Sequence, residues 1–269
     1  MHVEKLSPKL RAAEVIDEFA ASGRYHFTAE QMRSMTGGSS AAARTALTRL
    51  AKKGMIASPA RGFYVIVPPE YRRLGCLPAD QFIPALMEKS GRIYYAALLS
   101  AAEYHGAAHH RPQVFQVALA KNRRPISCGT VRVSFVARKN ISEVPVREIN
   151  TPRGSIQVSS IEATALDLVG YAHRVGGLDH VATIFCELAG DISPELLVAA
   201  ARTAPITWAQ RLGHLLEVVG AVDKALPLKD YIRQRAQGTV LLVPGLPKGR
   251  ARRAKDWRLY VNAEIEVDL

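Results

Sequence analysis

Apolar positions in the first part of the chain fall into three helical stripes followed by two short β-prone runs. Between Pro8 and Ala21, Leu10, Ala13, Ile16, Phe19 and Ala20 recur at steps of three and four, which gathers them on one helical face. Ser7 is placed to cap this helix, Pro8 to occupy its first position and Gly23 to stop it. His26 and Phe27 form a short extended link. Thr28-Ala-Glu-Gln31 fits a capping box, and the second helix it opens runs to about Met35. Thr36-Gly37-Gly38 breaks that helix, because glycine tolerates the backbone angles of a tight turn. Ser39 or Ser40 then caps a third helix that runs through Lys53, with Ala43, Leu47, Leu50 and Ala51 on its apolar face and Gly54 as its end. From Met55 to Val67, two apolar runs flank Ser58-Pro-Ala-Arg-Gly62, the pattern of a hairpin with a basic tip.

Beyond this point the pattern changes twice. Pro68 and Pro69 disfavour helix and read as a linker through Gly75. Helices are expected over 77–90 and 94–104, ending near Gly106. Four strand-like runs follow at 114–121, 131–138, 146–150 and 155–159, and their short connections imply a mostly antiparallel sheet. Ser159-Ser-Ile-Glu162 is a second capping box and opens a helical half that reaches about Ala236. Cys186 falls in one of its apolar stripes and reads as a small buried hydrophobe. A short strand at 239–243, a basic segment at 248–255 that reads as a loop or as a second phosphate contact, and an extended run at 257–261 complete the chain. The fold class is therefore α+β. An N-terminal winged helix-turn-helix, residues 1–72, precedes a larger mixed α+β domain, residues 75–269, made of a small sheet and a helical half.

Composition sharpens this reading. The 269 residues carry a formal net charge of +12, a surplus that favours a polyanionic partner. The surplus is concentrated: residues 24–73 hold nine Lys/Arg against two acids, and residues 111–153 hold the same. No run of about 18 uncharged apolar residues occurs, so no membrane span is expected. The charged N-terminal stretch lacks the apolar core of a secretory signal, so a cytoplasmic location is expected. Three widely spaced cysteines give neither a disulfide framework nor a CxxC ligand pair.

The third helix carries the candidate chemistry. Opposite its apolar stripe lie Arg44, Thr45, Thr48, Arg49, Lys52 and Lys53, with Ser39 and Ser40 at its start and Arg61 on the hairpin tip. Guanidinium and hydroxyl donors with few acids suit guanine edges and phosphates. In a winged helix-turn-helix this helix enters the major groove and the wing reaches a flanking phosphate or the minor groove. Arg123, Arg124, Arg132 and Arg138 form a candidate second basic patch, the first two in a turn beside Pro125 and the last two six residues apart on one strand. The phosphate-binding GxxxxGK[ST] loop and the GxSxG elbow are absent, and no carboxylate pairs suggest a metal nuclease. His105, His109 and His110 are the best metal candidates, but Gly106 and Ala107 interrupt their helix, so neither metal nor cofactor is expected. Asp167 reads as a buried hydrogen-bonding residue rather than a base.

Two segments carry a family resemblance. Tyr94-Tyr-Ala-Ala-Leu-Leu-Ser-Ala-Ala-Glu-Tyr-His-Gly106 resembles a helix ending in an apolar-His-Gly turn, and Ser160-Ile-Glu-Ala-Thr-Ala-Leu-Asp167 resembles a Ser-x-Glu-x-Thr-x-x-Asp helix start. Both features, with the basic N-terminal part, are similar to the AbiEi-type antitoxins of bacterial toxin–antitoxin systems, over roughly residues 5–220. Ala163 stands where that family usually has a basic residue. The resemblance implies a non-enzymatic repressor that binds double-stranded DNA repeats in its own promoter and counteracts a nucleotidyltransferase-like toxin, with direct contact left open. The alternatives are a plain winged-helix transcription factor with a ligand-sensing or dimerising C-terminal domain, and a DNA-acting enzyme such as a nuclease.

Overall fold

The computed structural model describes residues 10–107 and 112–267, and it divides into two compact units. The first takes the described residues to Arg92 together with 124–134 and 150–156; the second takes 93–123, 135–149 and the chain from Gln157.

The first unit opens with α1 (Ala12–Ala21), β1 (His26–Thr28), α2 (Ala29–Thr36), α3 (Ser40–Lys52), β2 (Ile56–Ala60) and β3 (Phe63–Ile66). The expected cap at Ser7 and Pro8 lies outside the described residues. The capping box at α2 forms as the sequence requires: the Thr28 hydroxyl accepts from the Gln31 amide at 3.2 Å, and the Thr28 amide donates back to Gln31 Oε1 at 2.8 Å. The turn into α3 is made by Gly37, which closes α2 in the left-handed conformation at φ 63°. Ser39 is the N-cap of α3, its hydroxyl accepting from Ala42 N–H at 3.1 Å. Val15, Ile16, Phe19, Phe27, Leu47 and Leu50 build the core between these helices and the sheet. His26 and Phe27 do more than link helices, because β1 pairs antiparallel with β3 to give a sheet of order β1-β3-β2. The hairpin loop is also shorter than the sequence suggests. Ser58, Pro59 and Ala60 stay in strand through a bulge, leaving Arg61 and Gly62 as the turn. Residues 77–90 supply α4 (Ala79–Lys89).

Farther along lie β4 (Tyr94–Ala96), α5 (Leu98–Tyr104), β5 (Phe115–Leu119), β6 (Ile126–Cys128), β7 (Val131–Ala137), β8 (Val146–Thr151) and β9 (Gly154–Ser159). They form one sheet of order β6-β7-β5-β4-β9-β8. The sheet is mixed: β4 pairs antiparallel with β5 and parallel with β9. The single helix expected at 94–104 is corrected here to a strand and a helix. Tyr95 and Ala96 are fully buried and pair with Ala118 and Val117, so sheet burial outweighs local helical periodicity. Leu98, at φ 54°, makes the sharp reversal, and Gln116 caps the new helix by accepting from Leu99 N–H at 2.9 Å.

The helical half of the second unit consists of α6 (Ile161–Gly170), α7 (Leu178–Leu188), α8 (Pro194–Ala201), α9 (Ile206–Val218) and α10 (Val222–Arg235). The tail adds β10 (Val240–Leu241), β11 (Arg252–Ala254) and β12 (Leu259–Val261) in a sheet of order β10-β12-β11. Part of the expected basic loop is thus strand β11, paired antiparallel with β12. Trp257 anchors the tail: it is 1% exposed, lies against Gly213 of α9 where a Cβ would not fit, and donates Nε1–H to Glu217 at 2.6 Å. Cys186 is exposed rather than buried, since α7 turns Ile184, Phe185 and Leu188 inward instead. No helix among the described residues is long and apolar enough to cross a membrane.

Candidate nucleic-acid interface

Helix α3 exists because Ser39 caps it and because Ala43, Leu47 and Leu50 bury one face. That burial fixes what the other side offers. Ser39, Ser40, Arg44, Thr45, Thr48, Arg49, Lys52 and Lys53 are all exposed, as is Arg61 in the β2–β3 turn. Ala51, assigned by periodicity to the apolar stripe, is exposed as well, which widens the solvent face. Among the described residues, none of the five cations on this helix and turn has a carboxylate partner within the first unit, so their donors remain available. The two threonine hydroxyls are engaged along their own helix, Thr45 donating to Ala41 O at 3.1 Å and Thr48 to Arg44 O at 3.0 Å. Their remaining lone pairs can accept, and rotation about χ1 would free the donor.

Two cations outside α3 hold the frame. Lys89, at the end of α4, donates to the Gly62 carbonyl at 2.6 Å and sits 5.7 Å from the centre of the Phe63 ring, which fixes the turn that carries Arg61. Arg153, in the β8–β9 turn, lies 3.7 Å from the Tyr25 ring centre and bonds Gln81 at 2.9 Å and Glu70 at 2.8 Å. Neither residue was legible as structural from the sequence. Beside the turn strand, burial and the neighbouring Arg24 cation hold the His26 imidazole below its ordinary range.

The four arginines of the second candidate patch have different surroundings. Arg124 and Arg132 fall in the first unit, Arg123 and Arg138 in the second. Arg132 turns back on the Gly129 carbonyl at 2.7 Å, and Arg123 lies 5.3 Å from the centre of the Phe135 ring. Arg138 has to be removed from the patch. It is 2% exposed, bonds Asp167 Oδ1 at 2.9 Å and the Thr203 carbonyl at 2.9 Å, and lies over Trp208. It follows the last residue of β7, and its guanidinium faces the core rather than solvent.

The Ser-x-Glu-x-Thr-x-x-Asp segment is a buried polar frame within the second unit. Ser160 rather than Ser159 is the N-cap, accepting from Ala163 N–H at 3.3 Å. Glu162 accepts from the Ser160 hydroxyl at 2.9 Å and from Ser193 N–H at 3.2 Å, joining the starts of α6 and α8. Thr164 bonds the Ser160 carbonyl at 2.8 Å. Asp167 receives Tyr95 Oη–H at 2.7 Å as well as Arg138. Burial raises the Asp167 carboxyl and the Tyr95 phenol, while Arg138 pulls both down. With a guanidinium and a phenol as partners, Asp167 is the buried hydrogen-bonding residue that the sequence suggested. His105 closes α5 and contacts the Ser159 carbonyl through Nε2 at 2.8 Å, and burial lowers its pKa. His109 and His110 lie outside the described residues. Among the described residues no group of three His, Cys, Asp or Glu could hold a metal ion.

Comparison with known proteins places this frame in context. Residues 95–218 match the model of the AbiEi antitoxin C-terminal domain. That span contains both His105 and the Ser160–Asp167 segment. The crystal structure of the RV2827C protein from Mycobacterium tuberculosis is similar in fold, with a TM-score of 0.67 over 92% of this chain and 90% of that one, at 17% identity. No curated protein matches.

Proposed function

We propose that this chain, whose residues 95–218 match the AbiEi antitoxin C-terminal domain, is an antitoxin that also binds double-stranded DNA and represses transcription. Residues 1–72 would act as a winged helix-turn-helix and residues 75–269 as the antitoxin part. The observation that carries the DNA-binding half is the exposed, carboxylate-free face of α3. Its Arg44, Arg49, Lys52 and Lys53 follow a glycine turn and are flanked by a β-turn bearing Arg61. The element order α1-β1-α2-α3-β2-β3 supports the same reading, since α3 would lie in the major groove and the β2–β3 turn beside it.

Neutralisation of a nucleotidyltransferase-like toxin is the other half, and it rests on the family. Repeats in the chain's own promoter are the expected DNA target. The reading assigns no catalytic step to this chain. The two roles are tested separately. The purified protein should shift promoter DNA and be displaced less readily by unrelated duplex, and its expression should rescue growth from a co-expressed neighbouring toxin. Equal affinity for promoter and unrelated DNA would remove the repressor reading; failure of rescue would remove the antitoxin reading.

A further inference from the structure

Two of the three cysteines meet inside the first unit. Cys76 follows the turn Leu74-Gly75, and Cys128 ends β6. The two stretches approach at backbone distance. Thr130 N–H donates to the Leu74 carbonyl at 2.8 Å, and a Cβ on Gly129 would sit 2.0 Å from that same oxygen and 2.8 Å from Gly75 Cα. This apposition brings two buried thiols beside one another, close enough for each to perturb the other's ionisation. The Ser58 backbone, inside the bulge of β2, lies beside the Cys128 side chain.

The two sulfurs are not equivalent. Cys76 is fully buried, while Cys128 keeps 7% exposure and is the one a small oxidant can meet. The neighbouring Cys76 thiol and the Ser58 backbone favour the Cys128 thiolate and hold its pKa below the ordinary thiol value; the same neighbourhood and burial push Cys76 up. An attacking thiolate beside a resolving thiol is the arrangement that redox-sensing cysteines share.

We propose that Cys76 and Cys128 form a modification site for peroxide-class oxidants, closing to an intramolecular disulfide, and that closure is transmitted to strand β2 through Ser58. The Cys128 thiolate attacks one peroxide oxygen, the O–O bond breaks, and hydroxide leaves, giving a sulfenic acid. Hydroxide takes the Cys76 proton and becomes water. The Cys76 thiolate then attacks the Cys128 sulfur and expels a second hydroxide, which is protonated by the proton released when Cys128 ionised. Two thiols lose two electrons, and one peroxide becomes two waters. Closure draws the Cys128 sulfur toward Cys76 and removes the negative charge that the Ser58 amide faces, so the bulge beside the Arg61 turn loses its anchor. This inference stands apart from the DNA-binding reading.

The test uses the full chain treated with hydrogen peroxide, quenched with an alkylating reagent and digested. One crosslinked peptide pair joining Cys76 to Cys128 is expected, with Cys186 alkylated or separately oxidised. Cys76→Ser should leave a Cys128 sulfenic acid that dimedone traps, and Cys186→Ser should leave the crosslink intact. In the oxidised wild-type protein the Ser58 amide should exchange hydrogen about tenfold faster than in the reduced form. If Cys76 and Cys128 both remain alkylatable while Cys186 is oxidised, the site is overturned whatever the variants do. A crosslink that leaves Ser58 exchange unchanged overturns the transmission to β2.

Discussion

Arg138 shows how far one side chain can depart from its apparent role. In the sequence it is one of nine cations in a basic stretch, at an even spacing from Arg132; in the structure its charge is met by Asp167 inside the core. Removing one member of a buried ion pair leaves the other charge without compensation, so Arg138→Ala is expected to cost about 3–5 kcal/mol. Arg124→Ala, at an exposed loop position, should stay within about 0.5 kcal/mol. Urea melts of both variants check the contrast, and equal midpoints would mean that the pair contributes nothing. Histidines give a second residue-scale expectation. Burial holds His26, His105 and His214 below the ordinary imidazole value of 6.5, and the Nδ1 atom of His214 is buried with no partner. With the folded pKa depressed, the unfolded chain takes up protons first as pH falls. The stability that neutral imidazoles permit is therefore complete above about pH 6.5 and declines below it. Replacing His214 with Leu should flatten the fall in urea midpoint between about pH 7 and pH 5.5; an unchanged slope would exclude His214 from it.

Among the elements, those with both a period and a cap were legible. α2 and α3 follow from Thr28, Gln31, Gly37, Ser39 and the Leu47/Leu50 stripe, all local in sequence. β4 was not, because Tyr94-Tyr95-Ala96 has no local mark distinguishing it from the helix that follows; its pairing partners lie at 117–119 and 158. β6 is similarly short and is fixed by pairing with β7. The proposed role of α3 makes a prediction at this scale. Arg44→Ala or Arg49→Ala should weaken promoter binding by about 1–3 kcal/mol where the lost arginine reads a base bidentately, with folding unchanged. Wild-type affinity in both would assign DNA contact to another face. The tail makes another. Trp257 fills the space that Gly213 leaves open on α9, so Trp257→Ala should destabilise the second unit by about 3–5 kcal/mol. A thermal melt unchanged by this substitution would show that the tail packs without consequence.

For the molecule as a whole, the net charge of +12 becomes informative once the buried and engaged cations are set aside. Arg138 is internal, Arg153 is stacked on Tyr25, and Lys89 is spent on the Gly62 carbonyl. The exposed cations of α3 and its neighbouring turn remain for phosphates in the first unit, as do the exposed Arg72, Arg73, Arg92 and Arg124. If about four to six of them neutralise phosphates per protomer, the logarithm of the binding constant should fall with the logarithm of salt by about 0.9 per contact. A titration of promoter affinity from low to physiological salt measures that slope, and a flat response would detach the charge from DNA binding. The division into units adds a feature that charge cannot reveal: residues 124–134 and 150–156 are counted with the first unit although they lie far along the chain.

The sequence by itself determined the α+β class, the helices and turn of the N-terminal part, the cationic face of α3 and the family resemblance. Each depends on spacing within a few residues or on residue types in a short motif, and such information survives without a third dimension. Only tertiary structure decided that Tyr95 is a strand residue, that Arg138 belongs to the core, that Trp257 locks the tail to α9, and that Cys76 and Cys128 meet. These facts join residues more than 20 positions apart. Their free energy comes from burial and from pairing of polar groups away from water, which no local pattern encodes.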